Sequence, residues 1–157
     1  MKRSNLIRLF LMLGIFLVSC SSAPKNDWKL TVSGAVGNPF SVTYEELTKM
    51  PQLTLENVFM DKSVGEDETG AWSGVDVDEL LSKAEADSDY VTVTAKAADG
   101  YAIEISRAEL SGGFIALKEN GEWISKSDPE HGPIRLVCPE TPANRWVFQI
   151  IELQVNK

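Results

Sequence analysis

Histidine occurs once in the 157 residues, at His131, and cysteine twice, at Cys20 and Cys138. A histidine-rich metal site is thereby excluded. No Gly-x-Ser-x-Gly elbow and no phosphate-cradling glycine loop occurs, which removes the usual serine hydrolases and nucleotide-binding loops. No apolar run approaches the ~20 residues that a membrane-spanning helix needs. Basic charge is also scarce: 15 Lys and Arg stand against 23 Asp and Glu, a net −8. Nucleic acid, whose phosphates need a basic footprint, is therefore excluded as a partner, as is docking on anionic lipid by charge alone. What remains is ordinary globular composition, 43% hydrophobic and 24% charged, which argues against collagen, coiled coil and wholesale disorder.

The longest apolar run, Leu9 to Val18, follows the cations Lys2, Arg3 and Arg8. A charged head, a short apolar stretch and small residues form an export signal. Leu17-Val18-Ser19-Cys20 resembles the bacterial lipobox, in which the cysteine is lipidated and becomes the first residue. The expected organisation is a signal peptide at 1–19, a lipidated tether at 20–27 and one domain at 28–157. The implied localisation is extracytoplasmic, on a membrane anchored through Cys20. Losing three cations with the leader takes the remainder from −8 to −11. With Cys20 acylated, Cys138 stands alone, so the domain has no internal disulfide and depends on its core. Ile134, Leu136 and Cys138 share one face of a strand, and the thiol is either a small buried hydrophobe or a reactive or metal-binding group.

Patterning predicts a β-rich α+β domain with two short helices. Strands are expected at Trp28–Ser33, Phe40–Val42, Leu53–Met60, Tyr90–Ala95, Tyr101–Ile105, Phe114–Leu117, Pro133–Cys138 and Trp146–Val155. Trp123-Ile124 is a further short strand beyond the Glu119-Asn120-Gly121 turn. Thr43 and Glu46 have capping-box spacing ahead of a helix that Pro51 stops. Asp76 and Glu79 repeat that spacing before a second helix running to about Ala86. Ala98-Asp99-Gly100 reads as a hairpin turn, and Ala108–Leu110 as one helical turn. The acidic stretch Asp61–Gly70 reads as a solvated loop, because its carboxylates lack the spacing of a calcium loop.

Several stretches, in order, resemble the molybdopterin-binding domain of the sulfite oxidase type. They are Trp28-Lys-Leu-Thr-Val-Ser-Gly34, Tyr44-Glu-Glu-Leu47 with Met50-Pro51, and Trp72-Ser-Gly-Val75 with Leu80-Leu81. Asp99-Gly-Tyr101, His131-Gly-Pro-Ile-Arg-Leu-Val-Cys-Pro139 and Trp146-Val147 complete the series, which spans residues 28–156. The resemblance implies a mixed α+β fold with a groove for the pterin dithiolene cofactor. Active members add a cysteine thiolate to the metal from a Leu-Glu-Cys segment. Here that segment reads Leu55-Glu56-Asn57, so a neutral, hard amide stands where a soft anionic donor is used.

Four residues are candidates for cofactor binding under this resemblance: Asn57, Tyr101, His131 and Arg135. Each has a second reading. Asn57 either bonds a ligand in the groove or satisfies backbone at a strand end. The Tyr101 hydroxyl lines a groove, or the residue simply belongs to turn and strand. His131 sits in the family's His-Gly-x-Pro pattern shortened by one residue, or is a turn histidine without a partner. Arg135 grips a phosphate or carboxylate with two teeth, or closes a salt bridge within this acidic protein. No metal ligand is expected. Two functions follow from the resemblance. One is a non-catalytic binding or accessory module beside an extracytoplasmic redox partner. The other is a small molybdenum-dependent oxidoreductase acting on an oxyanion or sulfoxide, with Arg135 and Cys138 in its site. An adhesion role has no feature behind it.

Overall fold

The computed structural model describes residues 22–157. The signal peptide and Cys20 expected from the sequence lie outside them.

Alternation of apolar and polar residues builds eleven strands among the described residues, arranged in two sheets. The first sheet contains β1 (Lys29–Gly34), β2 (Phe40–Thr43), β5 (Thr92–Ala97), β6 (Ala102–Ser106) and β11 (Ile150–Asn156), in the order β2-β1-β11-β5-β6. Its β1–β11 pair is parallel and the others are antiparallel. The second sheet contains β3 (Leu53–Met60), β4 (Glu68–Asp76), β7 (Phe114–Glu119), β9 (Arg135–Val137) and β10 (Val147–Phe148), in the order β10-β9-β7-β4-β3. The two-residue β8 (Glu122–Trp123) pairs with β7 beyond the Asn120-Gly121 turn. Buried residues of both sheets join one cluster that includes Leu30, Val32, Leu153, Trp72, Phe114 and Leu136. Cys138 belongs to the same cluster.

The first helix, α1 (Tyr44–Lys49), starts where expected. The Thr43 hydroxyl accepts from the Glu46 N–H, and the Glu46 carboxylate accepts from the Thr43 N–H at 2.8 Å. The second, α2 (Val77–Lys83), is capped differently from the sequence reading: Asp76 accepts from the Asp78 N–H, without a reciprocal bond from Glu79. The helical turn expected at Ala108–Leu110 is present, whereas Ile124, read as strand, begins a helix. Two four-residue helices, α3 (Arg107–Leu110) and α4 (Ile124–Ser127), thus add to α1 and α2. Ser106 and Glu109 form a second complete capping box at α3, because Ser-x-x-Glu satisfies two otherwise orphaned N–H groups even on a single turn.

Two further departures concern strands. β4 begins at Glu68, inside the stretch read as a loop. The stretch Trp146–Val155 is not one strand: β10 lies in the second sheet and β11 in the first, with Gln149 between them at φ 48. That left-handed residue turns the chain from one sheet to the other. Its carbonyl accepts from the Ala98 N–H at 3.0 Å, and its amide donates to the Glu130 carbonyl at 2.8 Å.

Candidate functional site

The short strand β9 places Arg135 between two neighbours in register, Phe148 on β10 and Ala116 on β7. Ala116 in turn pairs with Gly74 on β4, and Trp72 lies two residues along that strand. Directly paired residues share a face of the sheet. Arg135, Phe148 and Trp72 therefore stand on one face, with only Ala116 and Gly74 between the arginine and the tryptophan. Nothing larger than a methyl group blocks the long side chain. Its guanidinium carbon lies 5.0 Å from the Trp72 ring centroid and 4.1 Å from that of Phe148. Gly74 is required here for space. A Cβ on it would come within 1.9 Å of the Ile115 carbonyl oxygen.

Arg135 is only 4% exposed, and its charge is met by two carboxylates. Nη2 donates to Asp128 Oδ2 at 3.2 Å, and Nη1 lies 3.9 Å from Glu119 Oε2. Burial pushes the arginine pKa down while the two carboxylates push it back up. Burial also raises the pKa of Glu119, against the pull of Arg135. The arginine thus makes an internal salt bridge, while its Nε is buried without a hydrogen-bond partner. Asp128, which closes α4, also accepts from the His131 N–H, and its carboxylate lies 3.0 Å from His131 Nδ1. The His131 ring is exposed and rests 5.1 Å from the Phe148 ring centroid. His131 is therefore not a turn residue without a partner.

The structure brings His131 and Arg135 together through Asp128 and Phe148. Tyr101 and Phe148 lie along one groove of about 320 Å3, which Asp99 and Trp146 also line. The Asp99 carboxylate accepts from the Tyr101 N–H at 2.8 Å and fixes that turn. Asn57 does not join the others. It lies exposed on the edge strand β3, at φ 57, in a bulge where Leu55 pairs with Trp72 and Val58 with Gly70. Asparagine is among the few residues that tolerate this left-handed conformation, so backbone geometry accounts for its presence.

Sequence reasoning missed Asp128, Glu119 and Phe148. The Asp128–His131 spacing of three residues was a usable signal for a turn pair. Glu119 and Phe148 reach Arg135 only through sheet pairing, which leaves no local mark.

Cys138 is fully buried, and burial pushes its thiol up to about 12. Thiolate is the ligand form, so this group is a poor metal donor. Its carbonyl accepts from Trp146 Nε1 and from the Thr141 hydroxyl, both at 2.9 Å, which locks the strand end. Among the described residues no three His, Cys, Asp or Glu side chains gather to hold a metal ion. Arg145, beside the groove, is also committed, to the Glu104 carbonyl at 2.8 Å and Glu109 at 2.9 Å. A thiolate-ligated metal carried on an anionic pterin therefore does not fit these residues. The soft donor is inaccessible and the neighbouring cations are neutralised from within.

Known proteins nevertheless share the architecture. The family model of the oxidoreductase molybdopterin binding domain matches residues 18–157. The NADH nitrate reductase of Volvox carteri is 25% identical over 180 aligned residues, which take in 90% of this chain and 20% of that enzyme. The sulfane dehydrogenase SoxCD of Paracoccus pantotrophus superposes with a TM-score of 0.72 at 23% identity, over 86% of this chain and 39% of that one. The chain thus spans well under half the length of either. Its mixed sheets, short helices and ordered motifs have one common explanation: it belongs to the oxidoreductase molybdopterin binding domain family.

Proposed function

We propose that this chain is an exported lipoprotein, tethered through Cys20, whose domain serves as a non-catalytic binding or accessory module in an extracytoplasmic redox system. The observation that carries this reading is the donor set. An amide at a bulged edge position stands where active relatives place a thiolate, and the remaining thiol is buried with its pKa pushed up to about 12. A soft redox metal would find no anionic sulfur from the protein. The export reading is supported by the run of cations, apolar residues and lipobox at 1–20. Among the described residues no helix is long and apolar enough to cross a membrane.

The test is the metal and pterin content of protein made in a host that synthesises the cofactor. Metal is read by mass spectrometry, and pterin by fluorescence after oxidation. Substoichiometric amounts of both are expected, and one molybdenum per chain would overturn the reading. The mature chain should begin at Cys20 and carry acyl mass. Retention of Met1 would remove the tether.

A further inference from the structure

The groove beside Phe148 has a composition unlike that of a site for an anion. Its walls are three aromatic side chains, Tyr101, Trp146 and Phe148, two methyl groups, Ala97 and Ala143, and two polar ends, Asp99 and Asn144. Tyr101 and Phe148 are 46% and 40% exposed, the Phe148 ring also carrying the Arg135 guanidinium and the His131 ring. The indole N–H of Trp146 is already spent on the Cys138 carbonyl, leaving this side chain only its ring to offer. The Ala98 N–H to Gln149 carbonyl bond ties the β5–β6 hairpin to the β10–β11 junction, and Tyr101 and Phe148 line the same groove.

Charge completes the description. Asp99 pairs with no cation among the described residues. Arg135 and Arg145, the nearby arginines, line no part of the groove and are tied to carboxylates. A phosphate or carboxylate entering here would meet an unpaired aspartate, with the Asn144 amide and the Tyr101 hydroxyl as side-chain donors. A cation would meet aromatic faces, whose quadrupole attracts it, and a carboxylate to neutralise it. Phe148 already holds the Arg135 guanidinium against its ring, but that charge is cancelled by Asp128 and Glu119 and does not repel a second cation strongly. The volume of about 320 Å3 is at the low end for ligand pockets and suits one small molecule.

We propose that this groove binds a small organic cation, with an alkylammonium group held between Tyr101 and Phe148 and its charge met by Asp99. The assignment rests on the binding-module reading and deepens it, since a pterin lodged in the same groove would exclude another guest.

The experiment titrates the full chain with choline and, in parallel, with 3,3-dimethylbutan-1-ol, which has the same shape without the charge. Binding is followed by NMR shifts of the Tyr101, Trp146 and Phe148 resonances. Choline is expected to bind more tightly than the alcohol by about twofold to fivefold for one exposed cation–π contact, and by a further factor for the charge on Asp99. Asp99→Asn keeps the acceptor that closes the turn and removes only the charge. It should remove the Asp99 share of that preference and leave the share supplied by the rings. Tyr101→Leu keeps apolar bulk at an exposed position and should weaken choline by about threefold to fivefold through the lost ring. Equal affinity for choline and the alcohol would overturn the proposal, as would unchanged choline affinity in both variants or no response to choline. Pterin is assayed on the same preparation. Cofactor-loaded protein would overturn the binding-module reading itself, whereas cofactor-free protein indifferent to choline would overturn only the cation assignment.

Discussion

Replacing Asp128 with alanine removes the nearer of the two carboxylates that face Arg135. The side chains are unequal: Arg135 is 5% exposed and Asp128 32%. When the contact is broken the aspartate recovers much of its hydration, but the arginine stays sealed between Trp72 and Phe148. A hydrogen bond to a buried charged group contributes about 1.5–3 kcal/mol, whereas a fully exposed pair contributes less than about 1 kcal/mol. Glu119 remains 3.9 Å away as a second, longer partner. The expected cost of Asp128→Ala is therefore about 2 kcal/mol, a fall of about 4–8 °C in Tm for a domain of this size. Arg135→Met supplies the contrast. It removes the buried charge, keeps an unbranched stem between the two rings and leaves Asp128 to water and His131. Its cost should stay below about 1 kcal/mol, because replacing a buried cation by a hydrophobe of similar length is often nearly neutral. In urea denaturation at pH 7, the double variant should be no less stable than Arg135→Met alone, giving a coupling of about 2 kcal/mol. Additive losses, or an Asp128→Ala cost below about 0.5 kcal/mol, would refute the assignment of Asp128 as the main counter-ion, since surface changes have that size.

Four other outcomes follow from named contacts. Burial raises the pKa of Glu119 above its ordinary 4.5, so the folded state holds that proton more tightly than the unfolded chain. The stability this confers is fully present below about pH 4.5 and is lost as the pH rises through the folded-state value. Glu119→Gln, which mimics the protonated form, should match the parent near pH 4 and exceed its stability at pH 7; the reverse order in urea titrations would contradict the burial argument. Cys138 should resist iodoacetamide at pH 8 in the native protein and react only in denaturant. Cys138→Ser, which buries an extra polar group, should cost about 1–3 kcal/mol without altering metal content. Gly74→Ala drives a methyl group to 1.9 Å from the Ile115 carbonyl oxygen and 2.7 Å from Ala116 Cα. Both obstacles are backbone, so thermal unfolding should show a loss at the top of the about 1–3 kcal/mol range for overpacking. At the bulge, Asn57→Val should cost about 1–2 kcal/mol through the left-handed conformation, while Asn57→Gly should cost far less.

The parts of the fold legible in the sequence are those with local causes. The Thr43–Glu46 capping box, the Pro51 stop and the alternation over Leu53–Met60 are complete within a few residues, and the structure reproduces them. The family series was legible because it samples ordered positions across the whole chain. What escaped depends on pairing between distant strands. The bulge at Asn57 exists because β3 fits one extra residue against β4, a mismatch of register that neither strand reveals alone. The break in Trp146–Val155 is set by Gln149, a residue type with no preference for positive φ, held by Ala98 and Glu130 from elsewhere. Arg135 was legible as a strand residue able to close a salt bridge. Its burial depended on Trp72 and Phe148 closing over it from two other strands, and its neutralisation on Asp128 and Glu119.

That neutralisation decides between kinds of guest. A site that recruits an anion must keep its positive charge unspent until the anion arrives. Arg135 has instead spent its charge on Asp128, at a gross Coulomb attraction of about 5 kcal/mol for 3.2 Å in an effective dielectric near 20. An incoming phosphate would have to displace that carboxylate, or enter as a further negative charge beside Asp128 and Glu119. Arg145 presents the same obstacle through Glu109. The groove bounded by Phe148 carries the opposite balance, because Asp99 at its end has no cation of its own among the described residues. A cationic guest completes a pair there, while an anionic one must break a pair elsewhere. Arg135, which gives the family strand its anion-gripping look, and Arg145 thus leave, once their charges are neutralised from within, a surface whose remaining electrostatic demand is for positive charge.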